Sequence, residues 1–183
     1  MTRRPRPPDE VIFETVHGSR LYGFSHAGSD HDTFTVTTSR WPRSQQVIAG
    51  DADMLTVGVG RFVTLVMQGS HQAVEALFST QKVWGKNAAA DQVRPMLEAV
   101  RVTGPEVVAR YQRTVKAFCF GNFKKRRHAV RLAMNLAALR RDGVMDPTLP
   151  ESDRALAAEL AEHMEGRDLL GYLYDHIEGR PLR

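Results

Sequence analysis

Short β-branched runs occupy only the first third of this 183-residue chain, and helical periodicity fills most of the rest. A period of two buries one face of a sheet, and a period of 3.6 buries one stripe of a helix. A chain that changes period in this way builds a sheet first and lays helices on it afterwards. Val11-Ile12-Phe13-Glu14-Thr15-Val16 reads as a strand, stopped by His17-Gly18-Ser19. Arg20 to Phe24 is expected to form a short helical turn with Ser19 as its N-cap. His26-Ala27-Gly28-Ser29-Asp30 has turn chemistry, Thr33 to Thr38 reads as a second strand, and Trp41-Pro42-Arg43-Ser44 is a loop. A third strand is expected within Asp51 to Val57.

From Val59 to Phe78 the pattern is helical. Phe62, Leu65 and Val66 share one face, and Val74, Leu77 and Phe78 another, after a break at Gly69-Ser70. Pro105 suits the first turn of a helix to about Phe120, and Gly121-Asn122 breaks it. A long amphipathic helix follows from about Lys124 to Arg141, with Val130, Ala133, Met134 and Ala137 inward and Gly143 as its C′ glycine. Asp146 to Pro150 is a linker, Ser152 caps a helix through Met164, and Arg167 to Ile177 forms the last. Strands first and helices later give an α+β chain, or an α/β chain with a helical appendage. The boundary is expected near residues 95 to 105, dividing residues 1–100 from 101–183.

Composition narrows the class. Hydrophobic residues at 42% and charged residues at 25% exclude a disordered tail, a collagen-like rod and a disulfide scaffold. The apolar runs are too short to span a bilayer, and the basic start MTRRPRPPDE lacks the apolar stretch of a signal peptide. The single cysteine, Cys119, between Phe118 and Phe120, reads as a buried thiol, and no Cys/His spacing suits zinc. The expected setting is a reducing cytoplasm. Net charge is +4, from 25 basic and 21 acidic residues, but the charges are segregated. Arg3 to Arg6 reads as a solvated arm. Lys124-Lys125-Arg126-Arg127-His128 is the densest basic run, with Arg131 at helical spacing, while acidic residues gather at Asp30, Asp32, Asp51 and Asp53. Such a split lets one region take a metal and the other phosphates.

The pattern that carries chemistry is Gly18-Ser19 followed, after ten residues, by Asp30-His31-Asp32. A glycine at a strand-to-helix turn lets backbone approach a phosphate closely, and free N–H groups at a helix start attract it. Alternate strand residues share a face, so Asp30 and Asp32 are expected to project together, with His31 turned away. Paired carboxylates repel unless a cation lies between them, and oxygen-only ligands favour Mg²⁺. A phosphate cradle beside such a site suits phosphoryl or nucleotidyl transfer. His17 and His31 read as packing or hydrogen-bonding residues, whereas His26 could reach a substrate.

Gly18-Ser19 with Asp30-x-Asp32 resembles the signature of DNA polymerase β-like nucleotidyltransferases. The longer string Gly18-Ser19-Arg20-Leu21-Tyr22-Gly23-Phe24, then Ser29-Asp30-His31-Asp32, is similar to one branch, the predicted nucleotidyltransferases associated with RNA ligase genes in bacteria and phages. Asp53, Gly69-Ser70-His71, Glu75-Ala76-Leu77-Phe78, Arg127-His128-Ala129-Val130-Arg131-Leu132 and Asp142-Gly143 extend the likeness. It departs at Ser70-His71, where the branch often has Asn-Pro, and at Gly58 and Gly60, where bulkier or polar residues are expected.

The resemblance implies a minimal nucleotidyltransferase core followed by a C-terminal helical region. It implies two Mg²⁺ ions on Asp30, Asp32 and a third carboxylate from the next strand, for which Asp53 is preferred and Asp51 has the same strand parity, and an NTP whose phosphates meet Gly18, Ser19 and Arg20. Lys125, His128 and Arg131 are the expected nucleotide contacts on the helical side. The implied reaction moves a nucleoside monophosphate to a hydroxyl, with an RNA end as the preferred acceptor. A partner protein, as in antitoxin-like adenylyltransferases, or a small molecule are the rival acceptors. A nucleotide- or RNA-binding module without turnover is the non-enzymatic alternative.

Overall fold

The computed structural model describes residues 9–179. The Arg3 to Arg6 group lies outside them. Among the described residues the chain is α+β, a five-stranded mixed sheet with eight helices. Its elements are β1 (Val11–Val16), α1 (Gly18–Tyr22), β2 (His31–Thr37), β3 (Gln45–Ala49), β4 (Ala52–Gly58), α2 (Val59–Met67), α3 (His71–Phe78) and β5 (Val83–Trp84). The helices α4 (Ala88–Glu98), α5 (Pro105–Cys119), α6 (Phe123–Asp142), α7 (Glu151–His163) and α8 (Gly166–Ile177) follow. The sheet order is β3-β4-β2-β1-β5, with β2 and β4 parallel and every other pair antiparallel.

The parallel pair follows from the hairpin that precedes it. Ala49 pairs with Ala52 around Gly50-Asp51, and Gly50 has φ +63°, which suits the first central position of a two-residue hairpin turn. The hairpin puts β3 on the outside and brings β4 alongside β2. In that register Asp32 lies opposite Asp53, Phe34 opposite Leu55 and Val36 opposite Val57. One face of both strands is therefore apolar towards its C-terminal end and acidic at its N-terminal end.

The apolar part is covered by helices. Phe34 and Phe13 meet Phe62 of α2 edge-on, with ring centroids 5.9 and 5.4 Å apart. The same buried cluster takes in Val74 and Leu77 of α3, Tyr111 and Val115 of α5, Leu132 and Leu136 of α6, and Leu169 and Leu173 of α8. The acidic end projects past this cover.

Several sequence expectations change at element ends. Ser19 lies inside α1, whose N-cap is His17, with no side-chain cap bond. Helix α7 starts at Glu151 after Pro150, so Ser152 lies within it, and Glu151 and Asp153 supply the negative charge its first turn favours. Helix α6 is buried more widely than one stripe. Arg131 and Asn135 are enclosed with Ala129, Val130 and Leu132, while Met134 and Ala137 are only half-buried, because α5, α7 and α8 all pack against this helix. β3, β5 and α4 are additions to the elements expected from the sequence.

Candidate active site

β1 delivers the chain to a tight corner. His17 N–H donates to the Asp32 carbonyl at 2.8 Å, which ties the end of β1 to the start of β2. Gly18 then has φ +64°, and a Cβ there would stand 1.8 Å from Asp32 Oδ2. Only glycine brings backbone this close to the carboxylate. The amides of Gly18 and Ser19 precede the first intrahelical bond of α1 and so remain available.

Strand β2 begins at His31, so Asp30 stands just before it and is exposed, while Asp32 is partly buried. Arg20 spans the loop, its guanidinium donating to the carbonyls of Asp30 at 3.1 Å and Ser29 at 2.9 Å. Its charge thus braces the loop before Asp30. Burial, with the charges of Asp53 and Asp30, holds the Asp32 carboxyl above its ordinary pKa, against an opposing effect from His17.

Asp53 faces the same cleft from β4, in register with Asp32. Both its carboxylate oxygens accept from Gln46 Nε2 of β3, at 2.9 and 2.8 Å. Asp51 precedes β4, is exposed, and offers its carbonyl to His31 N–H at 2.7 Å. It is not part of the cleft wall. The three cleft carboxylates form an all-oxygen donor set of the kind hard divalent cations prefer. Among the described residues, however, no group of three or more His, Cys, Asp or Glu side chains is drawn together closely enough to hold a metal ion. The carboxylates' oxygen-only chemistry is of the kind Mg²⁺ prefers, although as placed they do not converge on one point.

The cleft holds about 790 Å³, within the range of small-ligand sites. Across from the carboxylates, α6 contributes Lys124, Arg127, His128 and Arg131 to its wall. Lys125 is exposed on the neighbouring face and packs its stem near Gly121. Arg127 lies over the Phe24 ring at 4.1 Å and nearer α6's start over Phe123 at 5.6 Å. His128 meets Tyr22 and Phe24 edge-on at 5.6 and 6.3 Å. Burial, then the charges of Arg131 and Arg127, push its pKa down to about 3.

Arg131 has a partner that sequence reading missed. It is 1% exposed, and its Nη1 donates to Glu75 Oε1 at 2.6 Å; Glu75 is completely buried. Tyr22 Oη donates to the other Glu75 oxygen at 2.6 Å, and the Arg131 guanidinium lies 3.6 Å over the Tyr22 ring. Burial alone would raise the Glu75 pKa, but Arg131, with smaller help from His71, His17 and Tyr22, brings it below its ordinary value. This three-way node joins α1, α3 and α6 beneath the cleft. The available signal was a glutamate set among apolar residues of a helix, Ala73-Val74-Glu75-Ala76-Leu77, every one of them buried.

Among the described residues, no helix is long and apolar enough to cross a membrane. No family model and no curated protein matches the chain. Among solved structures, the chain is similar to a nucleotidyltransferase-like protein from Exiguobacterium sibiricum 255-15, at 12% sequence identity. The match covers 93% of this chain and 67% of that one, with a TM-score of 0.33, a likeness too distant to bear on activity.

Proposed function

We propose that this chain is a Mg²⁺-dependent nucleotidyltransferase that moves a nucleoside monophosphate from an NTP to a hydroxyl. One observation carries the reading. Asp32 and Asp53 stand side by side at the open end of an otherwise apolar sheet face, against a glycine with no room for a Cβ. A fold spends stability to keep two repelling carboxylates at such a place, and a cation explains why.

The chain's own groups divide the work. The Gly18 and Ser19 amides would hold the outer phosphates, and Lys124 and Arg127 would offset their charge from α6. The attacking hydroxyl oxygen would bond to the α-phosphorus as the bond to the bridging oxygen breaks, and pyrophosphate would leave with that electron pair. Asp53, released by Gln46, would take the hydroxyl proton on a carboxylate oxygen. Mg²⁺ held by Asp30, Asp32 and Asp53 would neutralise the triphosphate and lower the pKa of the hydroxyl. The basic run on α6 favours an RNA end as acceptor, since phosphate contacts dominate such binding.

A labelled NTP with Mg²⁺ and an RNA pool should yield labelled RNA, and Asp32→Ala should abolish it. Labelling that survives the substitution would sink the assignment. One observation favours a second reading, a nucleotide- or RNA-binding module without turnover: Gln46 occupies both oxygens of Asp53. Tight nucleotide binding with no transfer for any of the four NTPs would select it.

A further inference from the structure

Deepening that reading and resting on it, we propose that the first turn of α3, with the Ser70 hydroxyl and Arg110, is a second oxyanion subsite of the cleft. It takes a phosphate group, either of the nucleotide or of the acceptor.

The argument starts with a helix end left open. Ser70 is the N-cap of α3, yet its side chain makes no cap bond. An N-cap serine ordinarily accepts from the second or third amide of its helix. Here the first backbone amide to bond back is that of Val74, to the Ser70 carbonyl at 2.9 Å. The amides of His71, Gln72 and Ala73 therefore carry the positive end of α3 without a partner from the helix. Ser70, His71 and Gln72 all line the cleft.

The second observation is independent of the helix end. Ser70 is only 8% exposed, and its hydroxyl, which caps nothing, is not one of the fully enclosed polar atoms but borders the cleft that Ser70 lines. A hydroxyl on an otherwise buried residue that opens only to a cleft is placed to bond what the cleft holds. His17, also 8% exposed, enters the same wall from the other side, and its Nδ1 has no hydrogen-bond partner. It directly precedes Gly18, so the α3 turn and the Gly18-Ser19 turn border one space.

The surroundings suit an anion. Arg110 lines the cleft from α5 and donates to the Gln68 carbonyl at 3.4 Å, beside the α2–α3 corner. That corner is pinned, because a Cβ on Gly69 would stand 2.6 Å from Val107 Cα. Burial lowers the pKa of His71, against the opposing charge of Glu75. The one acid on the same helix, Glu75, is engaged by Arg131 and Tyr22. Arg110 is thus left as the charge that answers a phosphate, with backbone amides and a hydroxyl to orient it.

The test titrates the folded chain, without metal, with inorganic tripolyphosphate and separately with 5′-phosphorylated and 5′-hydroxyl RNA oligonucleotides, by calorimetry. His71→Pro removes one amide and the imidazole at the first helical position, where proline is favoured. Ser70, at φ −62° and ψ 112°, already has the extended backbone a following proline requires. Ser70→Ala and Arg110→Gln remove the hydroxyl and the charge. Arg110→Gln should weaken binding about tenfold, and the other two severalfold, with Tm near wild type. Weakening confined to tripolyphosphate assigns the subsite to the nucleotide, and weakening confined to phosphorylated RNA assigns it to the acceptor. If His71→Pro fails to fold, the other two variants decide. Affinities within about twofold of wild type for both probes in the folded variants, or no binding of either probe by wild type, overturn the proposal. A failure of NMP transfer with intact phosphate binding would instead count against the transferase reading alone.

Discussion

A Cβ at position 18 would meet Asp32 Oδ2 at 1.8 Å, and the backbone there already has φ +64°. Gly18→Ala therefore faces two costs. The left-handed backbone is worth about 1–2 kcal/mol for an L-residue, and Asp32 must swing away from the corner. On the proposed transferase reading, activity should fall at least about a hundredfold, because a displacement near 1 Å at a reacting centre costs that much. The loss of urea stability should stay near the backbone figure. A variant that keeps activity would show that Asp32 does not act from this corner. His128 has a strongly controlled charge, with a pKa of about 3 in the fold against 6.5 in the unfolded chain. A lowered histidine pKa means the unfolded chain binds more protons below pH 6.5, so stability falls as pH drops from 6.5 towards 3. By pH 5 this one group should remove about 2 kcal/mol relative to pH 7. Urea unfolding of His128→Gln should show a correspondingly flatter acid dependence. At this scale the strand-to-helix corner at Gly18 was legible, because His17-Gly18-Ser19 is a local string. Glu75 was not, since its partner Arg131 lies far along the chain and only packing brings them together.

Helices with sharp ends were read most accurately. Pro105 opens α5, Gly143 closes α6, and the Gly69-Ser70 break separates α2 from α3. Each of these ends is marked by a residue whose backbone or missing N–H limits what can follow. The elements that escaped reading lack such marks. β3 is an edge strand exposed along its whole length, so nothing selects alternation, and β5 is two residues long. Helix α4 contains Pro95 and buries only Ala90 and Leu97, which leaves a faint period. Helix α6 also carries a test of its own start. Asn122 accepts from the Lys125 amide at 3.1 Å, placing the basic run in the first turns, where the helix dipole opposes it. Asn122→Ala should cost about 1 kcal/mol in chemical unfolding. It should also loosen Lys124 and Arg127 at the cleft wall, which on the proposed reading weakens nucleotide binding. Unchanged stability would mean the cap is not holding the basic turn.

Across the whole molecule, Glu75 and Arg131 connect the strand-bearing part to the helical part beneath the cleft. Both are buried, and Tyr22 shares the carboxylate, so α1 beside the carboxylate corner is tied to α6 through one ion pair. Removing one member leaves the other's buried charge uncompensated, which typically costs about 3–5 kcal/mol. Glu75→Gln and Arg131→Met should each destabilise the entire chain by that order, in a single cooperative transition, because the surrounding apolar cluster draws on α2, α3, α5, α6 and α8 together. The double variant removes both charges, and its loss should fall short of the sum of the two by at least about 1 kcal/mol. Tyr22→Phe removes one hydrogen bond to a charged group and should cost about 1.5–3 kcal/mol. Urea unfolding of the four proteins gives the coupling directly. Strict additivity of Glu75→Gln and Arg131→Met would mean the pair does not link the two parts. It would then leave the shared apolar cluster as the connection between the carboxylate corner and the basic helix.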